Sequence, residues 1–116
     1  MQITWTKCQG EVWCKLNAVR LEHAHFDNRN GVYVIWHGGQ SPATVLVGRG
    51  AIRDCITRAR VDAEIQAFDS LGLFVTWATV GPESQEGVEV FLAGRLQPKV
   101  KRPLPRANAI EVNLPW

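Results

Sequence analysis

Between Gly31 and Gly50 the chain reads GVYVIWHGGQSPATVLVGRG, and this stretch limits the available folds more than any other. Val32, Tyr33, Val34, Ile35 and Trp36 are all β-branched or aromatic, the composition of a strand buried on both faces. Gly38, Gly39 and Pro42 interrupt helix and strand alike. His37 to Ala43 is therefore expected to be a hairpin loop, with Thr44 to Val47 as the antiparallel return strand. The return runs into Gly48, Arg49 and Gly50, and its partner carries Tyr33, the only tyrosine in the chain. A tyrosine on a sheet beside a Gly-Arg-Gly turn is a candidate phosphate site.

Past the hairpin the apolar period changes from two to between three and four. Ile52, Cys55, Ile56, Ala59 and Ala63 form one stripe of a helix expected to reach about Phe68. Ser70 and Gly72 punctuate, and Leu73 to Val80 has the composition of a third strand. Gly81, Pro82, Glu83 and Ser84 place a proline and an acid where a helix start favours them. The second helix extends to about Leu96 with Val88, Phe91, Leu92 and Leu96 as its stripe, and Pro98, Pro103 and Pro105 prevent its continuation. Residues 1–30 are the least legible. ITWTKC alternates like a short strand, and EVWCKLNAVRL suits a helix turning into a strand. Asp27 to Asn30 is a polar turn, and Ile110 to Asn113 is a candidate edge strand. The order β-β-α-β-α predicts an α+β fold, a small antiparallel three-stranded sheet flanked by helices, with extra N-terminal and C-terminal segments.

With 116 residues, the chain suits one domain, residues 1–116. It has no apolar run of about 18 residues to span a bilayer. Its start lacks the charged and apolar regions of a signal peptide, so cytoplasmic residence and no membrane partner are expected. Cys8, Cys14 and Cys55 are odd in number and form no C-x-x-C pair, which predicts reduced thiols and neither a disulfide framework nor a zinc site. The net charge of +2 is small. Its distribution is more informative: Arg95, Lys99, Lys101, Arg102 and Arg106 lie in a segment without acids, and Arg49, Arg53, Arg58 and Arg60 follow the second strand. Such clusters are either a solvated face or a phosphate-binding surface.

These residues at the corners of this element order resemble the GIY-YIG nuclease family, over residues 31 to about 100. Gly31-Val32-Tyr33 stands at the first motif and Leu46-Val47-Gly48 at the second. On the second helix Glu89, in Glu89-Val90-Phe91-Leu92 with Pro98 downstream, matches the family's metal-binding glutamate. Helix geometry bears on Glu89 independently. At about 100° per residue it falls about 20° beyond Leu96, at the margin of the apolar arc. There it either looks into a cleft or pairs with Arg95 or Lys99 at the solvent boundary.

The resemblance implies a divalent-metal-dependent endonuclease acting on nucleic acid, DNA ahead of RNA. A single Mg²⁺ or Mn²⁺ held by Glu89 polarises the phosphate, Tyr33 is the general base, and an arginine neutralises the phosphoryl oxygens. A tyrosine's ordinary pKa of about 10 makes it a poor base at neutral pH unless cations favour the phenolate. The family's arginine position falls on Cys55 or Ile56 here. Arg58, one helical turn beyond Cys55 and leaning toward the helix N-terminus, is the nearest substitute. Arg53 and Arg49 are the other candidates for that arginine, and Arg49, Arg60, Lys99, Lys101 and Arg102 are the nucleic-acid-binding candidates. Leu46 replaces the second-motif tyrosine, and Lys99, Val100 and Lys101 stand where an asparagine is common. These departures leave open a degenerate domain that binds nucleic acid or a protein partner without cutting, or a coincidental α+β domain. With no recognition module, specificity is expected to be structural, weak or supplied by a protein partner.

Two further features carry less. His23 and His25 would share a face on a strand but lack a third ligand, and His37 lies close enough to the first strand to edge the site. The tryptophans are core or interface anchors by default, although Trp36 is positioned to stack on a base.

Overall fold

In the computed structural model, which describes residues 1–116, the hairpin forms the centre of the fold. Strand β2 (Asn30–His37) pairs antiparallel with β3 (Ala43–Ala51), and on its other side with β4 (Leu73–Thr79). The sheet has four strands, not three. A two-residue β1 (Cys14–Lys15) adds to β4 and gives the order β1-β4-β2-β3. Alternation within those two residues is enough, because Cys14 is buried and Lys15 exposed. No helix forms around it.

Helices cover both faces of the sheet. On one, Tyr33 and Ile35 pack with Ile52, Cys55, Ile56 and Ala59 of α1 (Ile52–Ala59). On the other, Val32 and Val34 pack with Val88 and Leu92 of α3 (Pro82–Leu96). Strand β2 is therefore buried on both faces along all but its first residue. Burying each such side chain stabilises by about 1.5–3 kcal/mol. Gly31 is required at the crossing with β4, where a Cβ would lie 1.9 Å from the Ala78 carbonyl oxygen.

The first helix stops well before Phe68. Asp62 takes extended backbone and its side chain accepts the Glu64 N–H, capping a separate short helix α2 (Ala63–Gln66). An aspartate competes for backbone donors in this way and favours a new start over continuation. Ala63, part of the expected stripe, is exposed, and Ile65 enters the core in its place.

Cys8 and Cys14 form a disulfide, which corrects the expectation of reduced thiols. The turn between them holds Gly10 and Glu11 at positive φ and closes through a bridge of Cys8 with Val12, bringing the two Cα atoms to 5.1 Å. Only Cys55 is a free cysteine, and it is buried. Ile110–Asn113 does not join the sheet. The Ile110 N–H bonds instead to the Gly87 carbonyl on α3, and Asn113 ties to Ile3. No helix is long and apolar enough to cross a membrane.

Candidate active-site cleft at the edge of the sheet

Strand β3 is an edge strand, and the candidate residues meet where it narrows at Gly48. Tyr33 lies directly opposite Gly48. A Cβ at position 48 would sit 2.4 Å from the tyrosine hydroxyl oxygen, so the ring occupies the space a side chain would take. The missing side chain lets Tyr33 lean across β3 toward the open edge. Arg49 lies opposite Val32, and paired residues point to the same face, here the α3 face. There its Nη1 donates to Oε1 of Glu89 at 2.5 Å.

The result is a cleft of about 300 Å³ whose lining includes Tyr33, Gly48, Arg49, Arg58, Glu89 and Arg102. Arg58 reaches back along α1 until Nη2 is 3.5 Å from Cys55 Sγ, toward the position the family resemblance assigns to an arginine. It has no carboxylate partner, whereas Arg102 bonds Asp62 at 2.5 Å and Glu64 at 3.2 Å. Asp62 also lines the cleft, and sequence reasoning missed it. Its signal was local: an aspartate one residue before a short helical segment is a cap.

Two of the arginines are used elsewhere. Arg53 donates to the carbonyls of Leu21 and His23 and to the carboxylate of Asp27, holding down the N-terminal loop. Arg60 donates to the carbonyls of Leu16 and Val19. The guanidinium groups of Arg53 and Arg60 thus stitch loops, and neither residue lines the cleft. Lys101 lines a small pocket of about 90 Å³ that shares Leu46, Val47 and Arg102 with the cleft, and Lys99 a separate cavity. Neither Arg95 nor Lys99 pairs with Glu89. Its partner Arg49 is distant in sequence and adjacent only through the β2–β3 register.

Burial pushes the Glu89 carboxyl above the usual carboxylate range, and the Arg49 hydrogen bond and charge oppose that rise. Burial also raises the Tyr33 phenol well above its ordinary value, with Cys55 and Glu89 acting in the same direction and Arg58 and Arg102 against it. The Cys55 thiol is raised by burial as well.

Could Glu89 hold a divalent cation? Its one hydrogen bond is on Oε1, and Oε2 has no protein donor. No group of three or more His, Cys, Asp or Glu residues able to hold a metal exists in the chain. A single carboxylate with a free oxygen suits Mg²⁺, which keeps several waters and takes further oxygens from substrate phosphates. It does not suit a closed zinc site.

The histidines have structural partners. His23 Nδ1 caps its own 3-10 turn, and His25 Nε2 accepts from Trp77 Nε1 at 3.0 Å. Burial and the nearby Arg29 lower the His25 pKa. His37 stacks on Phe68 and accepts the Gly39 N–H. Comparison with family models, with curated proteins and with solved structures finds no match for this chain.

Proposed function

We propose that the cleft binds a nucleic-acid phosphodiester, DNA ahead of RNA, and hydrolyses it with a single divalent cation, in the manner of a small GIY-YIG-like endonuclease. The observation that carries this reading is the convergence of Tyr33, Arg49, Arg58, Glu89 and Arg102, from five separate segments, on one edge of the sheet. The order β2-β3-α1-β4-α3 supports it, since the resemblance implies the same succession.

In this reading Arg58, free of carboxylate partners, receives the phosphoryl oxygens, and Arg102 joins it only when a phosphate displaces Asp62 and Glu64 from its guanidinium. Glu89 is held half-engaged by Arg49, and an arriving phosphate draws the Arg49 guanidinium away from it. The chemistry supplied by a divalent cation, when one is held at Glu89, is polarisation of the phosphoryl oxygens. Tyr33 as phenolate takes a proton from the attacking water and becomes the neutral phenol. Its raised pKa makes that phenolate scarce at neutral pH, so cleavage is slow there.

Two observations favour binding without cleavage as a second reading: Arg49 occupies Glu89, and burial disfavours the Tyr33 phenolate. The deciding experiment incubates the protein with plasmid, branched DNA and RNA in Mg²⁺, Mn²⁺ or EDTA, beside Glu89→Ala and Tyr33→Phe. Metal-dependent nicking lost in both variants supports the nuclease. Salt-sensitive binding without nicking supports the second reading, and nicking that survives both substitutions refutes the site. A protein partner supplying specificity belongs to this proposal too. Cytoplasmic residence stands against the Cys8–Cys14 bond, because cytosolic thiol systems keep such bonds reduced. Counting free thiols in protein taken from cells decides it.

A further inference from the structure

A cavity of about 550 Å³, larger than the cleft, lies elsewhere on the molecule. It lies at the far end of β3, with Trp13, Trp36 and Trp116 on its walls and Arg95 and Lys99 among its lining residues. The indoles stand against one another, Trp13 edge-on to Trp36 at 5.3 Å and Trp36 tilted against Trp116 at 4.7 Å. Phe74 already stacks on Trp36, and the Lys7 ammonium sits over Trp13 at 4.7 Å. Trp116 remains 56% exposed and is the indole with surface to offer.

A group of indoles can enclose a quaternary ammonium, but here the charge is wrong for a cationic guest. Arg95 and Lys99 are exposed and have no carboxylate partner, so they favour a planar group that travels with an anion. A nucleobase with its phosphate has that character.

The chain also connects this cavity to the cleft. After α3 the backbone runs beside the edge of β3, anchored by Lys99 N–H to the Thr44 carbonyl at 3.0 Å and Val100 N–H to the Val45 carbonyl at 2.9 Å. Lys99 lines the tryptophan cavity, Lys101 the small pocket, and Arg102 both that pocket and the cleft. The chain bends at Lys99 and Val100, so Lys99 and Arg102 lie at most about 10 Å apart along the backbone. Lys99 and Lys101 are cations on this path, and Arg102, at its cleft end, is paired with Asp62 and Glu64.

We propose that the tryptophan cavity receives an unpaired nucleobase from the same strand whose phosphodiester lies in the Tyr33–Glu89 cleft, with Lys99, Lys101 and Arg102 tracking the phosphates between. This rests on the nucleic-acid reading of the cleft and adds to it a single-stranded substrate, such as a flap or gap beside a duplex.

The test is fluorescence anisotropy in EDTA with a labelled 12-nucleotide oligothymidine, its abasic counterpart, and a blunt 12-base-pair duplex. The wild type is expected to bind oligothymidine at least five-fold more tightly than the abasic strand or the duplex. Trp116→Ala should lose about five-fold or more of the oligothymidine affinity, the low end for one base–aromatic stack. Trp116→Phe should keep most of that affinity, and duplex binding should not change. Trp116 packs on Trp13 and Trp36, so circular dichroism must show Trp116→Ala folded like the wild type, and Lys99→Glu, at an exposed position, provides a second variant expected to weaken oligothymidine binding. Equal affinity for the oligothymidine and abasic strands, or Trp116→Ala binding as tightly as the wild type, overturns the base site while leaving Glu89-dependent cutting intact. Binding to no nucleic acid at all overturns both proposals.

Discussion

Substituting Gly48 tests the device on which the cleft depends, a tyrosine ring lying where a side chain is missing. An alanine Cβ there would lie 2.4, 2.5 and 2.7 Å from Tyr33 Oη, Cζ and Cε1. The backbone does not need glycine, since only Gly10, Gly50 and Gly72 among the glycines have positive φ. Replacing a strand-interior glycine by alanine is therefore favourable in itself by about 0.5–1 kcal/mol. Overpacking against a rigid ring opposes this by about 1–3 kcal/mol. Gly48→Ala should then destabilise the protein by up to about 2.5 kcal/mol, which lowers Tm by roughly 3–6 °C per kcal/mol in a domain of this size. In a Tyr33→Val background the ring is gone and the sign reverses, with Gly48→Ala stabilising by about 0.5–1 kcal/mol. A double-mutant cycle by urea denaturation reads the difference as a coupling energy of about 1–3 kcal/mol. Equal effects in the two backgrounds would refute the placement of the ring.

The other predictions concern charge, packing and redox state. Because burial raises the Glu89 pKa, the folded state holds a proton there that the unfolded state releases, so this group's contribution to stability falls as pH rises from the unfolded carboxyl value toward the folded one. Glu89→Gln should raise Tm at pH 7, and thermal melts across pH should show that gain shrinking as pH drops through the folded pKa. If Tyr33 is the base, nicking by the wild type should keep climbing with pH beyond neutrality; a rate that levels off below pH of about 7 in a pH–rate profile would exclude it. Gly31→Ala meets backbone it cannot displace, and chemical denaturation should show a loss of about 3 kcal/mol or more. Reducing the Cys8–Cys14 bond opens a loop of sequence separation 6, and melts with and without reductant should differ by about 2 kcal/mol.

What was legible in the sequence was whatever a local period could encode. The hairpin, the strand from Leu73 and the helix ending at Leu96 follow from runs of β-branched residues, glycine and proline breaks, and one apolar stripe. Glu89 was legible too, because its angle on that stripe predicted a position at the margin of the core. The misses are tertiary or depend on a single residue. β1 is two residues long, too short for a pattern, and exists only because β4 offers it an edge. Asp62 breaks α1 by capping, which outweighs a helical spacing that also admitted Ala63. The disulfide depends on a turn in which Glu11 adopts positive φ, a choice composition does not signal. The roles of Arg49, Arg53 and Arg60 required the fold, because each guanidinium bonds a partner at least 30 residues away in sequence.

The most direct test of the central claim is cleavage of a labelled flap substrate in Mg²⁺ by the wild type and Glu89→Ala, with circular dichroism showing both folded. The account predicts metal-dependent product from the wild type and at least a hundred-fold less from the variant, the scale of losing a group that stabilises developing charge. Equal cleavage by the two proteins, or cleavage by the wild type that persists in EDTA, would contradict it.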